Sequence, residues 1–283
     1  MSKNTEVSLE NDIQNDLGLD SLKVLDLDVQ IQSVYGISVV NEWLNFKTVA
    51  DLIQYIKDNM HIAQTKEQEN YPEEKTKEDI QRLKAVISGM EQFCNFEYIG
   101  LENIPDTPCV FAANHSSHLD TISVYGALLA KDEGKIEKMC CLAAKELAQS
   151  PDIKIFFKSI GAIPVDRKVN SAATLKLVQK CIAEDGYSAL IYPEGTRTRT
   201  GKMGDFLDGT AIVCTKTSVP VVPIGIKGAF EVWPPQSETP KKLSQKPNIT
   251  VRFGTPIDAK GCSIKQLTTK LKKSVVELCE DKS

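Results

Sequence analysis

Apolar positions along the chain follow two different patterns on either side of a polar stretch. In SLKVLDLDVQIQSV, residues 21–34, Leu22, Leu25, Val29 and Ile31 or Gln32 fall near one helical face, and Gly36 supplies a stop. TVADLIQYIKDN, from Thr48, repeats the pattern: Thr48 is a natural N-cap and Val49, Leu52, Ile53 and Ile56 are the apolar positions. The text from His61 to Glu78 then has almost no apolar content and a proline, which predicts a linker. KEDIQRLKAVISGMEQF reads as an amphipathic helix with Ile80, Leu83, Ile87 and Met90 on one face. Beyond it short apolar runs recur: PCVFAAN, KMCCLAA, GAIPVDR, SALIYP, PVVPIGI and ITVRFG. They lack strict alternation, as strands covered on both faces do, and helical stretches such as TISVYGALLAK and SAATLKLVQKCIAE separate them. The pattern predicts a small helical module followed by an α/β domain with a largely parallel sheet.

Composition sharpens this division. Residues 1–75 carry 6 basic and 14 acidic side chains, a net −8, whereas the rest carries 28 and 24, a net +4. Two modules with different partners are expected, and the second is not basic enough to argue for nucleic acid. A composition of 41% hydrophobic and 25% charged residues is ordinary for a globular chain. No window reaches the roughly 18–20 uninterrupted apolar residues of a membrane-spanning helix, and the first residues are too polar for a secretory signal, so a cytoplasmic protein is expected. The eight cysteines contain no C-x-x-C and several lie in apolar runs, as reduced core thiols do. His61, His115 and His118 have no Cys or second His at ligand spacing, so no metal is expected.

Short polar motifs follow three of the predicted strands: NHSSHLD after PCVFAAN, DRK after GAIPV and EGTRTRTGK after SALIYP. In open α/β sheets the carboxyl ends of strands are where ligand sites collect, so these loops converge on one crevice. On a regular helix His115 and Asp120 would diverge by roughly 140°. They meet only if the intervening residues form a turn. A carboxylate holding one imidazole nitrogen sets the tautomer that takes a proton from a hydroxyl; alternatively Asp120 N-caps the following helix and His115 is a turn residue. His118 reads as a turn or surface residue. In EGTRTRTGK five residues separate Gly195 from Gly201, one more than a phosphate loop allows, and Met203 stands where a Ser or Thr would hold magnesium. What remains is a loop in which Arg197, with Arg167 and Lys145, is suited to a phosphate monoester, whereas Lys168, Arg199 and Lys202 read as solvated charges. Glu194 beside Arg197 reads as an ion pair aiming the guanidinium.

These residues carry a resemblance. NHSSHLD is similar to the N-H-x4-D signature of the glycerolipid acyltransferases typified by 1-acylglycerol-3-phosphate acyltransferase. GAIPVDR, YPEGTRT and VPVVPI resemble that family's second, third and fourth blocks, in order. The resemblance implies that His115 is the general base activating an acceptor hydroxyl for attack on an acyl thioester and that Asp120 orients it. It further implies that Glu194, Gly195 and Arg197 bind the acceptor's glycerol phosphate, with Arg167 and Lys145 near the phosphate. One departure is Phe206-Leu207-Asp208-Gly209, where the family usually has F-K-[KR]-G. Asp208 keeps open another acceptor, a lyso-aminolipid or other lysophospholipid. An inactive carrier or scaffold is the rival from a different class.

The first 60 residues resemble acyl carrier proteins. DLGLDSLKVLDLDVQIQSVYGISV places Ser21 where that family attaches phosphopantetheine; read from the residues alone, Ser21 is equally an N-cap. The expectation is therefore a carrier-like domain at 1–62 that lacks its first helix, a linker at 63–78 and an acyltransferase domain at 79–283. A flexible linker of that length reaches roughly 20–25 Å, enough to make a donor on Ser21 intramolecular. The partners implied are an acyl thioester, on acyl carrier protein or coenzyme A, a lysophospholipid acceptor and a phosphopantetheinyl transferase. The inner membrane surface is the remaining one, met peripherally through the amphipathic helix.

Overall fold

All six apolar runs form strands, β2 (Val110–Ala113), β3 (Met139–Ala144), β4 (Ala162–Val165), β5 (Ser188–Ile191), β6 (Val221–Lys227) and β7 (Asn248–Phe253), and a seventh, β1 (Asn95–Ile99), precedes them. The computed structural model describes residues 37–69, 71–147, 151–165 and 171–280, with single positions and short stretches between 7 and 35. The chain falls into two compact units, Met1–Tyr71 with Arg167–Leu177, and Pro72–Asp166 with Val178–Ser283.

In the first unit the described positions between 23 and 35 are helical, and helix α1 (Val49–Glu69) follows. Thr48 caps α1 as predicted: its hydroxyl accepts from Asp51 N at 3.3 Å and the Asp51 carboxylate accepts from Thr48 N at 2.9 Å. Ile13, Val24, Ile31, Ile37, Val39, Trp43, Phe46, Leu52 and Ile56 form the core. Asp28 is buried, its Oδ1 accepting from Val39 N at 2.6 Å and Val40 N at 3.0 Å. One departure from the sequence reading concerns the linker: the backbone stays helical to Glu69, because a Gln-, Lys- and Glu-rich segment has high helix propensity whatever it packs on.

The second unit is the α/β domain, with sheet order β1-β7-β6-β2-β5-β3-β4. Strands β6, β2, β5, β3 and β4 are mutually parallel and β7 runs antiparallel to β6. β1 pairs in parallel with β7 at the sheet's edge, and its exposure alternates along NFEYI, which is why no apolar run announced it. The unit's helices of nine residues or more are α2 (Lys77–Met90), α3 (Asp120–Lys131), α4 (Pro151–Ser159), α5 (Ser171–Asp185, whose first part belongs to the other unit), α6 (Gly209–Thr217) and α7 (Ile264–Cys279).

Two features fix what the site stands on. Every residue of β2 is at most 2% exposed, as a central strand covered on both faces must be. On one side α3 buries Val124, Tyr125, Ala127 and Leu128 completely, so the helix that starts at Asp120 cannot shift without opening the core. Helix α2 begins with a capping box between Thr76 and Asp79, and its apolar stripe faces this same core: Ile80 and Leu83 are buried, while Val86, Ile87 and Met90 pack against them. The stripe expected to lie on a membrane is therefore used inside the domain. No helix among the described residues is long and apolar enough to cross a membrane.

The residues just before α2 are pinned to the bottom of the sheet. Tyr187 donates its hydroxyl to Pro72 O at 3.0 Å, Lys75 N donates to Glu137 O, and the buried Lys75 ammonium donates to Met139 O. Gly161, at φ +62°, leaves room for that ammonium where a Cβ would collide with it. Burial pushes the Lys75 pKa down to about 8. Between pH 8 and the ordinary lysine value of about 10.4 the unfolded chain holds a proton that the folded chain has lost, so stability rises with pH across that window. Denaturant unfolding of wild type and Lys75→Met at a series of pH values is expected to show wild type gaining on the variant from pH 8 to pH 10, by on the order of 3 kcal/mol at most. Parallel profiles would contradict a buried, destabilised ammonium.

Candidate active site

The five parallel strands end on one edge, and the loops leaving β2 and β5 interlock there through their main chains. Asn114 leaves β2 buried and bonds the backbone of β6 reciprocally, Nδ2 donating to Ile226 O at 2.9 Å and Oδ1 accepting from Ile226 N at 2.7 Å. This amide replaces a rung of the sheet and holds the next residue, His115, at a fixed height. His115 N donates to Glu194 Oε1 at 2.7 Å, and His115 O accepts from Thr198 N at 2.9 Å. The EGTRT loop thus grips His115 by both backbone groups.

The turn between His115 and Asp120 forms, and Asp120 makes it. Asp120 Oδ2 accepts from Ser116 N at 2.6 Å and Ser117 N at 2.8 Å, and the same atom lies 2.8 Å from His115 Nδ1. Asp120 is the first residue of α3 and caps no helix amide, so the alternative in which it is only an N-cap does not hold. Its side chain is fully buried and that of His115 is 16% exposed. A carboxylate acceptor at Nδ1 makes this nitrogen the protonated one, and Nε2 has no protein hydrogen bond among the described residues. The ring stacks on Tyr192, with centroids 3.8 Å apart and planes 13° from parallel. Burial raises the Tyr192 hydroxyl well above its ordinary pKa, so it stays protonated, bonded to Thr121 Oγ1 at 2.9 Å. A half-buried imidazole with a fixed tautomer, a fixed plane and a free Nε2 is equipped to take a proton from a hydroxyl.

Glu194 sits differently from its expected ion pair. Its two carboxylate oxygens accept main-chain donors, His115 N and Gly204 N, the latter at 2.7 Å, which ties the loop after β5 to the loop after β2. Gly195 takes φ +70°, and Leu207 packs so close above it that a Cβ would meet Leu207 Cδ1 at 2.9 Å. Arg197 meets His118: its guanidinium donates to His118 Nδ1. His118, read from the sequence as a turn or surface residue, is half-buried beside Trp233. Lys145 stands exposed in the turn after β3, at the same edge of the sheet. Asp208 turns to α7, accepting from Thr268 Oγ1 at 2.9 Å and pairing with Lys265 at 2.8 Å. Arg167 and Ser21 lie outside the described residues.

Comparison with known proteins follows these outlines. The family model described as Acyltransferase matches residues 95–227, and the one described as Phosphopantetheine attachment site matches residues 3–56. A probable 1-acyl-sn-glycerol-3-phosphate acyltransferase of Mycoplasma pneumoniae is 31% identical over 202 residues, 67% of this chain and 71% of that protein. The chain belongs to the PlsC-like acyltransferase family. A chloroplastic relative from Brassica napus, named 1-acyl-sn-glycerol-3-phosphate acyltransferase, is 32% identical over 56% of this chain, which spans 44% of that protein's length. The solved PlsC acyltransferase of Thermotoga maritima shares the fold, with a TM-score of 0.56, 23% identity, and coverage of 74% of this chain and 86% of that one. To the acyltransferase frame this chain adds a phosphopantetheine attachment domain at its N-terminal side.

Asn114, Tyr192 and His118 are the site residues that sequence reasoning missed. Asn114 and Tyr192 each adjoin a motif residue, so their place was visible although their bonds were not. For His118 the signal was weaker, because its partner stands 79 positions away.

Proposed function

We propose that this protein transfers a fatty acyl group from a thioester to the free hydroxyl of a lysophosphatidate-type acceptor, as a step in phospholipid synthesis. The observation that carries this reading is the Asp120–His115 pair, closed at 2.8 Å with Nε2 left open at the carboxyl edge of the sheet. His115 Nε2 takes the proton of the acceptor hydroxyl as its oxygen attacks the thioester carbonyl carbon. The imidazolium that forms is held by the Asp120 carboxylate. As the carbonyl re-forms, the C–S bond breaks and the departing sulfur takes the proton from His115, giving an ester and a free thiol. Arg197, Arg167 and Lys145 hold the acceptor phosphate, Arg197 by its planar fork. Gly195 lets the loop turn closely there, and Glu194 acts on the acceptor indirectly, by locking that loop to His115.

The acceptor reading is favoured over a lyso-aminolipid by Asp208. Its carboxylate, the one departure from the family pattern that argued against a phosphate, is spent on Lys265 and Thr268. Because the acceptor is a lipid, the protein works against the inner membrane surface, and exposed Leu147, Ile153, Ile155 and Leu207 offer apolar contacts for it.

The donor is an acyl thioester on acyl carrier protein or coenzyme A, and the carrier-like domain at 1–62 supplies one in cis. A pantetheine arm needs a folded scaffold beneath its serine rather than a pocket, and the first unit's apolar core with the clamped Asp28 fits that need. Phosphopantetheine, attached to Ser21 by a phosphopantetheinyl transferase, supplies the thiol that carries the acyl chain. Residues 63–78 connect this domain to the acyltransferase domain at 79–283.

Two measurements test this. With acyl-carrier or acyl-coenzyme A donors and 1-acylglycerol 3-phosphate, wild type is expected to form phosphatidate and free thiol in equal amounts, and His115→Ala to lose about three orders of magnitude or more in kcat. Product from His115→Ala at the wild-type rate, or none from wild type as an inactive scaffold would give, overturns the reading. After incubation with coenzyme A and a broad-specificity phosphopantetheinyl transferase, intact mass is expected to rise by one phosphopantetheine in wild type and not in Ser21→Ala; no gain in wild type contradicts a competent carrier.

A further inference from the structure

His118 is held from three sides. Its backbone N–H donates to Trp233 O at 3.1 Å, its ring lies 5.1 Å from the Trp233 ring, and Nδ1 accepts from the Arg197 guanidinium. A guanidinium can only donate, so Nδ1 is the acceptor and the proton of the neutral ring sits on Nε2. These contacts fix both the tautomer and the charge. An imidazolium would turn a second N–H toward the guanidinium, replacing a hydrogen bond with a repulsion between two cations. Ser117 Oγ, donating to Trp233 O at 2.7 Å, and Gln236 Nε2, donating to Arg199 O at 2.6 Å, tie the same segment to both motif loops.

We propose that His118 is a positioning residue for acceptor recognition: as a neutral Nε2–H imidazole it fixes the plane of the Arg197 guanidinium, and with it the site's grip on the acceptor phosphate. The inference rests on the acyl-transfer reading for what Arg197 binds, but not for the His118–Arg197 pair itself. An arginine recognises phosphate through paired, coplanar N–H groups, so its orientation matters as much as its charge. Left to itself the side chain would lose several freely rotating bonds on binding; a partner that holds it beforehand removes that cost. Burial first, then the Arg197 charge, lowers the His118 pKa; the Pro235 backbone opposes this, His115 acts in the same direction as burial, and Asp120 opposes it. Protonation of His118 is therefore disfavoured, and the pairing is lost as pH falls through the lowered value.

The test uses the full chain and two substitutions. His118→Leu removes the acceptor atom, and His118→Asn puts an amide oxygen near the place of Nδ1. His118→Leu is expected to raise KM for the lysophosphatidate acceptor about tenfold, with kcat and the donor KM within about twofold of wild type, and His118→Asn to recover most of that loss. An unchanged acceptor KM in His118→Leu, or donor and acceptor KM rising together, or no recovery in His118→Asn, overturns the proposal. A second readout needs no turnover: in a 15N-histidine spectrum of wild type, His118 is expected as the Nε2–H tautomer with a midpoint below the ordinary value of about 6.5. A midpoint at or above that value, or an Nδ1–H tautomer, also overturns it. If lysophosphatidate is not turned over at all, the spectrum still judges the pair while the acyl-transfer reading fails by itself.

Discussion

One carboxylate oxygen organises the site. Asp120 Oδ2 receives the amides of Ser116 and Ser117 and the ring N–H of His115, and that convergence bends the stretch from His115 to Asp120 into a turn no helix would make. Three donors around one buried oxygen offset the cost of taking the charge out of water. The second oxygen, Oδ1, is buried without a hydrogen-bond partner among the described residues, so the site's negative charge is incompletely neutralised by fixed donors. In the proposed reaction that residual charge faces the imidazolium as it forms. The anchor under Asp120 is packing: α3 begins at this residue and its first two turns are sealed in the core.

Around this turn the fold uses its backbone more than its side chains. Asn114 borrows a rung from β6, Glu194 collects amides from two loops, and Thr198 N reaches back to His115 O. Three chain segments far apart in sequence are thereby set at fixed heights over the carboxyl edge of one parallel sheet. In the proposed reaction His115 and Arg197 are the side chains that carry the chemistry, and each is oriented by a neighbour. Orientation by Asp120 and by His118 are parallel solutions, one fixing which nitrogen is free and the other fixing a plane of donors.

Much of this was legible in the sequence, for physical reasons that also explain the rest. Strands covered on both faces are uninterrupted apolar runs, so β2 through β7 could be read directly, whereas β1 alternates at a solvated edge and left no such run. The amphipathic stripe on residues 77–90 was visible, but periodicity does not say what an apolar face meets; here it meets the domain's own core. Helix α1 ran past its last periodic apolar residue because propensity alone extends a helix. Asp120 read equally as a cap or a tie, and only the positions of the Ser116 and Ser117 amides separate the two. Glu194 stands near Arg197 in sequence, yet its carboxylate serves His115 and Gly204, a choice made by tertiary structure. Asp208 looked like a charge offered to substrate until Lys265 and Thr268, far along the chain, were seen to use it.

The claim on which the functional account stands is that Asp120 does more than shape a turn. Asp120→Asn tests it, since the amide oxygen can still accept from Ser116 N and Ser117 N while the charge and the enforced His115 tautomer are lost. Turnover of a lysophosphatidate acceptor by this variant, measured beside its thermal unfolding, is expected to fall by about three to four orders of magnitude in kcat with the fold retained. Wild-type kcat in a folded Asp120→Asn would show the carboxylate to be a turn-former only, and would remove the basis for His115 as the base.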